Sequence, residues 1–400
     1  NPEYSAKLDS LINAKDKVPF KIFDKKNAEK LFGKNLNISA SQLEKFNLCR
    51  FSYFCNYGLN VRERQRAEIN PMQYGTIVHY ILERFFGEYT KEEYLSLEED
   101  KFQKIVCAYL TEYAVKYFGE EQLESNSFTY RLKTILDNVM YLMKHIMEEL
   151  SQSEFFVADC ELKIGEDIPS YTIVLPDGHK IAVCGSVDRV DIMQRADITY
   201  LRIIDYKTGT KQFKLSDILY GINLQMLLYL HSIEVSGGDK YGEIVPAGIL
   251  YMPATVPYIS SDSLKSIDKL PDELNKKLKM NGLLLKDTEI IHGMDKTDVA
   301  TYIPVKIKAG EPVSSTSLAT LAEFGKIFKK VDMLIAEMGK NIYNGNIEAK
   351  PLKGGHDSCE YCPYDSVCAY RQSNPITCFS VDNKTVIEEI TNEINGKEEE

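Results

Sequence analysis

The sequence predicts an α/β or α+β fold, with a mostly antiparallel sheet held inside a helical shell. Three observations carry that expectation. Apolar residues recur at helical spacing from Ser41 to about residue 150, strict alternation replaces them from residue 155 to 207, and one more helix and buried strand follow before residue 253. With 400 residues, 44% of them hydrophobic, the chain is long enough to bury a sizeable core. No apolar run approaches a membrane span, and the first residues carry no apolar signal region.

Taken in order, residues 1–36 are polar and Lys-rich and read as a lead-in from a preceding domain. SASQLEKFNLCRFSYFCNYG then opens a helix, with Ser41 and Glu44 spaced as a capping box and Leu43, Phe46, Phe51 and Phe54 as its apolar face. A second helix is expected over 72–87, where Ile77, Val78, Ile81, Leu82, Phe85 and Phe86 share one side, and two long amphipathic helices at about 97–117 and 124–150. The period then changes. FFVADCELKI, YTIVL, KIAVCGSVDRVDIM and ITYLRIIDYK read as successive strands joined by hairpin turns, Pro-Asp-Gly at 176–178 among them. A helix over 216–235 and the buried strand VPAGILYMP complete a core spanning 151–255. Residues 256–312 read as a polar, variable insert, 315–343 as a long helix, and 381–400 as an acidic tail after a Gly- and Cys-rich loop.

The net charge of −11 argues at first against a nucleic-acid partner, but residues 381–400 alone supply −5 of it. Elsewhere there are basic stretches at Arg62, Arg64 and Arg66 and at Lys207, Lys211 and Lys214, so bulk charge excludes little. Nine cysteines without a secretion signal point to reduced thiols in a cytosol, and a cysteine cluster reads first as a metal site.

Two strand ends carry the chemistry. In YLRIIDYKTG, Asp205 and Lys207 project from the same face as Leu201 and Ile203, at the end of an apolar strand. In VCGSVDRVDIM, Asp188 shares a face with Ala182, Cys184, Val190 and Ile192, and Asp191 faces away. A lone carboxylate on such a face costs several kcal/mol unless it is paired or metal-bound. Hairpin neighbours 188 and 205 would bring two acids together, which repel unless a cation sits between them. Two hard oxygen ligands, open positions for water and a nearby lysine suit Mg²⁺ or Mn²⁺ and phosphodiester hydrolysis. The residues alone leave a second reading open, a buried Asp–Lys or Asp–Arg pair holding the sheet together, for which Arg189 would serve. His79 lies beside an apolar helical stripe with Gly75 one turn earlier, so a backbone or ion has room to approach. Gln225 and Tyr229 stand one turn apart on a helix face just after the Asp-x-Lys strand.

GxxxH in a helix, then GSVDRVD, IIDYKTG and QMLLY, in that order, resemble the nuclease domain of the RecB family within the PD-(D/E)xK superfamily. The resemblance runs from about residue 37 to 380 and implies a restriction-endonuclease-like central mixed sheet flanked by helices. It implies His79, Asp188, Asp205 and the Tyr206 carbonyl as metal ligands and Lys207 as the catalytic lysine. Gln225 and Tyr229 fall on the helix motif that steadies the site and meets DNA. Glu161 enters only as a peripheral acid, because Lys163 beside it suggests a plain salt bridge.

The run HDSCEYCPYDSVC spaces Cys359, Cys362 and Cys368 as C-x2-C-x5-C, which signals bound metal and asks for a fourth ligand. Cys378 would complete a local zinc knuckle, while Cys55 or Cys49 would tie the two ends of the domain together. NLCRFSYF followed by YGL resembles RecB-like nucleases with an iron–sulfur cluster, which implies a [4Fe–4S] group on Cys49, Cys359, Cys362 and Cys368. The cluster would clasp a very long loop. Cys107, Cys160 and Cys184 read as core residues. Among such nucleases the arrangement resembles those of bacterial AddAB-type helicase–nucleases, which implies a cytoplasmic protein, unwound single-stranded DNA as substrate and an AddA-like helicase/nuclease subunit as partner. No G-x-x-x-x-G-K-[ST] loop is present, so ATP hydrolysis would belong elsewhere. Two alternatives remain at this point: a non-catalytic DNA-binding or assembly module with structural zinc or a cluster, and a nuclease acting on RNA or on spacers in adaptive immunity.

Overall fold

The computed structural model describes residues 4–5, 7–8, 21–62, 71–209, 212–256, 270–314, 316–368, 370 and 375–398. Most of the lead-in before residue 21, with Arg64, Arg66 and Lys211, lies outside them. Helix α1 (Lys25–Phe32) and strand β1 (Asn35–Ile38) precede α2 (Ala40–Leu48). The capping box of α2 uses Ser39 and Gln42, two residues before the expected pair, because Glu44 is engaged elsewhere. Its Oε1 accepts from the Leu224 amide at 2.8 Å, at the start of another helix. Helices α3 (Pro71–Glu88), α4 (Glu99–Phe118) and α5 (Asn126–Gln152) follow within two residues of the ranges read from periodicity.

The sheet is built from β2 (Phe156–Ile164), β3 (Thr172–Val174), β4 (Lys180–Val183), β5 (Gly185–Arg195) and β6 (Ile198–Lys207). After β6 a 3₁₀ turn (Leu215–Tyr220) leads to α6 (Gln225–Ser236) and β7 (Glu243–Pro253). The single helix expected over 216–235 is broken there, because Gly221 and Asn223 take left-handed φ of 68° and 54°. KIAVCGSVDRVDIM is likewise two strands: β4 pairs with β1 and β3 in a small separate sheet, so Ala182 and Cys184 do not share a strand with Asp188.

Residues 281–319 contribute β8 (Asn281–Leu285), a short hairpin of β9 (Lys306–Lys308) and β10 (Glu311–Val313), and β11 (Leu318–Ala319). The main sheet has the order β11-β8-β7-β6-β5-β2 and is mixed, with β6 parallel to β7 and its other long pairings antiparallel. Its core is continuous with the helices: Val190, Leu201, Ile203, Ile249 and Leu283 are buried together with Val78, Ile81 and Phe85 of α3. Helix α7 (Leu321–Tyr343) lies over α6. The acidic C-terminal segment is helical as α8 (Asn383–Glu398), and it buries Val386 and Ile390 against α7 while Lys330 pairs with Glu393 at 2.5 Å. The cysteine loop is pinched between β12 (Leu352–Gly354) and β13 (Ile376–Cys378), which pair in parallel. Among the described residues no helix is long and apolar enough to cross a membrane.

Candidate metal centre and cysteine clasp

Strands β5 and β6 part company at one end. Their pairing runs from Arg195↔Ile198 and stops at Arg189↔Ile204, although β5 stays paired to β2 as far as Gly185 and β6 to β7 as far as Lys207. The register places Asp188 across from Asp205 just where this fork begins. Instead of joining a ladder, the Tyr206 amide donates to Asp188 Oδ2 at 2.9 Å. The N–H and C=O of one strand residue point to the same edge, so the Tyr206 carbonyl also faces the fork.

Helix α3 passes over this end of the sheet. Its Tyr74 hydroxyl donates to the Ala254 carbonyl at 3.1 Å, and His79 reaches two strands at once. His79 Nδ1 lies 2.9 Å from Glu161 Oε1, and Nε2 lies 3.6 Å from Asp188 Oδ2. Ser186 Oγ donates to the other Glu161 oxygen at 2.8 Å. Ligand atoms of His79, Glu161 and Asp188 all lie within 4.8 Å of one another, the only such His/Cys/Asp/Glu group among the described residues. Glu161, peripheral on sequence grounds, is therefore central. Lys163 turns away to Glu166 at 3.2 Å. At Glu161 the backbone takes φ of +50°, a rare conformation for a non-glycine strand residue, and such outliers gather at functional sites.

Asp205 stands behind that trio, 2% exposed, with Lys207 Nζ 2.5 Å from its Oδ2. Burial, and then the facing Asp205, push the Asp188 carboxyl up to about 7, against the opposing pull of His79 and the Tyr206 amide. Burial opposes charge on His79, but the Glu161 hydrogen bond and the surrounding acids outweigh it and raise the imidazole to about 8. On Glu161 burial is likewise outweighed, by the hydrogen bonds to His79 and Ser186, which hold it below the usual carboxylate range. Three carboxylates thus face one lysine and one histidine, a donor set that suits a hard divalent cation.

Tyr229 is buried beneath the fork, and burial pushes its hydroxyl up to about 12. A Cβ on Gly185 would lie 2.2 Å from that hydroxyl, so only glycine lets α6 seat against the start of β5. Gln225 opens α6 one turn earlier, and its amide lies 3.4 Å from Glu44 Oε1, so the capping carboxylate fixes both motif residues. Gly75 is less special than its spacing suggested: a Cβ there would make an ordinary 3.7 Å contact with Thr208.

At the opposite end of the domain Cys49, Cys359, Cys362 and Cys368 line one cavity of about 140 Å³. Ser358 Oγ donates to the Leu48 carbonyl at 3.0 Å and the Tyr364 hydroxyl to the Val61 carbonyl at 2.7 Å, closing loop onto helix. A tetrahedral zinc would hold its thiolates about 3.8 Å apart. No three of these thiols lie within 4.8 Å of one another, and the space between them fits a larger inorganic group better than one ion. Cys55 is buried behind the cavity, and Cys378 packs with Ile222 and Leu352 in a separate cluster.

A forked mixed sheet with carboxylates at the fork and an adjacent lysine defines a metal-dependent nuclease fold, and the family model described as PD-(D/E)XK nuclease superfamily matches residues 37–369. The chain belongs to that superfamily. Among curated proteins it is similar to three, each named as a subunit of an ATP-dependent helicase/deoxyribonuclease. The one from Clostridium kluyveri (strain NBRC 12016) is 35% identical over 95% of this chain and 34% of the relative. That from Thermoanaerobacter sp. (strain X514) is 34% identical over 86% of this chain and 30% of the relative. The third, from Ruminiclostridium cellulolyticum, is 33% identical over 94% and 34%. The chain spans about a third of the length of these relatives.

Proposed function

We propose that this chain is a Mg²⁺- or Mn²⁺-dependent deoxyribonuclease domain that hydrolyses phosphodiester bonds of unwound single-stranded DNA. The observation that carries the reading is the convergence of His79, Glu161 and Asp188 at the strand fork, with Lys207 against Asp205. His79 Nε2, Asp188, Asp205 and the Tyr206 carbonyl hold the ion, while Glu161, seated by Ser186, orients the imidazole through Nδ1. The bound ion supplies a polarised phosphoryl oxygen and a water acidic enough to attack at neutral pH. Lys207 orients that water and balances charge gathering on the phosphoryl oxygens. Tyr229 braces β5 through Gly185, and Gln225, at the exposed start of the same helix, meets DNA.

The relatives' name supports a place in a helicase–nuclease complex that processes double-strand DNA breaks in the bacterial cytoplasm, beside an AddA-like helicase/nuclease subunit that unwinds the duplex. The four-thiol cavity supports a [4Fe–4S] cluster on Cys49, Cys359, Cys362 and Cys368 as a structural clasp, and residues 37–380 as one nuclease domain. Hydrolysis of end-labelled single strands by Lys207→Ala and Asp205→Ala tests the chemistry; wild-type rates in both would overturn it in favour of a non-catalytic module. Iron and sulfide analysis of anaerobic protein tests the clasp, and zinc in their place would correct it. Co-purification with a helicase subunit separates the repair role from RNA or spacer processing.

A further inference from the structure

The acidic cluster opens onto a groove of about 560 Å³ that shares His79 and Glu161 with it. Tyr80 of α3 and Tyr113 and Tyr117 of α4 line the groove, with Lys163 of β2. The three rings form a ladder: Tyr80 and Tyr113 have centroids 5.2 Å apart, Tyr113 and Tyr117 4.4 Å apart. These spacings leave no gap for another ring between them, so the ladder ends at Tyr117. Its inner rungs are fixed, Tyr113 by burial and Tyr80 by donating to Glu112 Oε1 at 2.7 Å. Tyr117 is 56% exposed, with Lys116 Nζ 5.2 Å from its ring. A tyrosine kept only to fill the core would be buried like Tyr113, four residues earlier on the same helix face. Glu83 also lines the groove, so phosphate attraction alone would not hold a strand here, and ring stacking is left as the main attraction.

We propose that Tyr117, backed by Tyr113 and Tyr80, is a stacking platform for an unpaired base of single-stranded DNA flanking the phosphate held at the strand fork. It rests on the nuclease reading for the identity of the polymer. Bases within a duplex have their faces covered by neighbours, so the platform favours unwound strands, and stacking is tolerant of sequence.

The test measures binding of the full chain to fluorescein-labelled oligothymidine in metal-chelating buffer, where the DNA stays intact, alongside an abasic oligomer of the same length. Tyr117→Ala weakens oligothymidine binding by about 5- to 100-fold, as expected for one lost base stack. Tyr117→Phe and Tyr117→Trp retain it, and the abasic oligomer binds wild type and Tyr117→Ala alike. Equal oligothymidine affinity in wild type and Tyr117→Ala overturns the platform, as does a preference over the abasic strand that survives Tyr117→Ala. Hydrolysis is scored separately with Mg²⁺. If wild type cleaves and Tyr117→Ala binds normally, the platform alone falls; if wild type never cleaves but base-dependent binding needs Tyr117, the nuclease reading alone falls. An unchanged melting temperature for Tyr117→Ala rules out misfolding as the cause.

Discussion

The two faces of β5 and β6 bury charge in opposite ways. On one face Arg189 and Arg202 meet Asp191 and Glu149, all fully buried, with Arg189 bonding both Asp191 oxygens at 2.7 Å and Arg202 reaching Glu149 at 2.6 Å. Two cations and two anions cancel. Burial opposes charge on Asp191, but the flanking guanidiniums hold it below the usual carboxylate range. On the other face Asp188, Asp205 and Glu161 outnumber Lys207 and His79, and the Asp188 carboxyl is pushed up to about 7. The same two strands therefore carry a finished structural network and an unfinished one, and the deficit of positive charge marks the place built to receive a cation.

Breaking the balanced face should have the largest effect. Arg202→Met leaves Glu149 and Asp191 short of a partner and is expected to cost about 3–5 kcal/mol in urea unfolding; unchanged stability would break the comparison. Lys207→Ala should lower single-turnover hydrolysis about 10²- to 10³-fold with little change in melting temperature. Asp188→Asn should abolish metal-dependent hydrolysis and yet raise the melting temperature of metal-free protein by roughly 1–4 °C, because it removes a buried charge that faces Asp205. A drop in melting temperature would mean that this face, too, is structural.

Titration sharpens the contrast further. The folded state binds a proton at Asp188 up to about pH 7, against 3.8 in the unfolded chain, and at His79 up to about 8 against 6.5. Metal-free stability from these groups is therefore lost as pH rises from about 4 through 8, whereas Mg²⁺ must displace the same protons and stabilises more at pH 8 than at pH 6. Thermal melts of wild type and Asp188→Asn with and without Mg²⁺ measure both slopes; Asp188→Asn should flatten them. Smallest of all, Gly75→Ala should gain up to about 1 kcal/mol, since a mid-helix glycine with ordinary space beside it is a cost.

Much of this site is written in local pattern. The range of β6 and the shared face of Asp205 and Lys207 follow from alternation alone, and the 188–205 pairing follows from a tight hairpin. Glu161 is hidden for two reasons. Its spacing to Lys163 mimics a surface ion pair, and its left-handed backbone breaks the alternation that would have aimed it. Strand β8 is hidden inside a polar stretch because only Gly282 to Leu285 is apolar, too short a run to stand out, though it completes the sheet beside β7. The acidic tail reads as solvated by composition, while its buried Val386, Ile390 and Ile394 sit at helical spacing among the charges. Arg189, next to Asp188 in sequence, suggests a partner for the site, but it pairs with Asp191 on the opposite face.

The cysteine cavity has a consequence for how the protein is made. Its first wall leaves the ribosome with Cys49 and its last with Cys368, more than 300 residues later, after every strand of the main sheet. A half-synthesised or truncated chain has no complete pocket to fill. Whatever is installed there arrives on a finished molecule, and works as a seal that only a whole copy can receive.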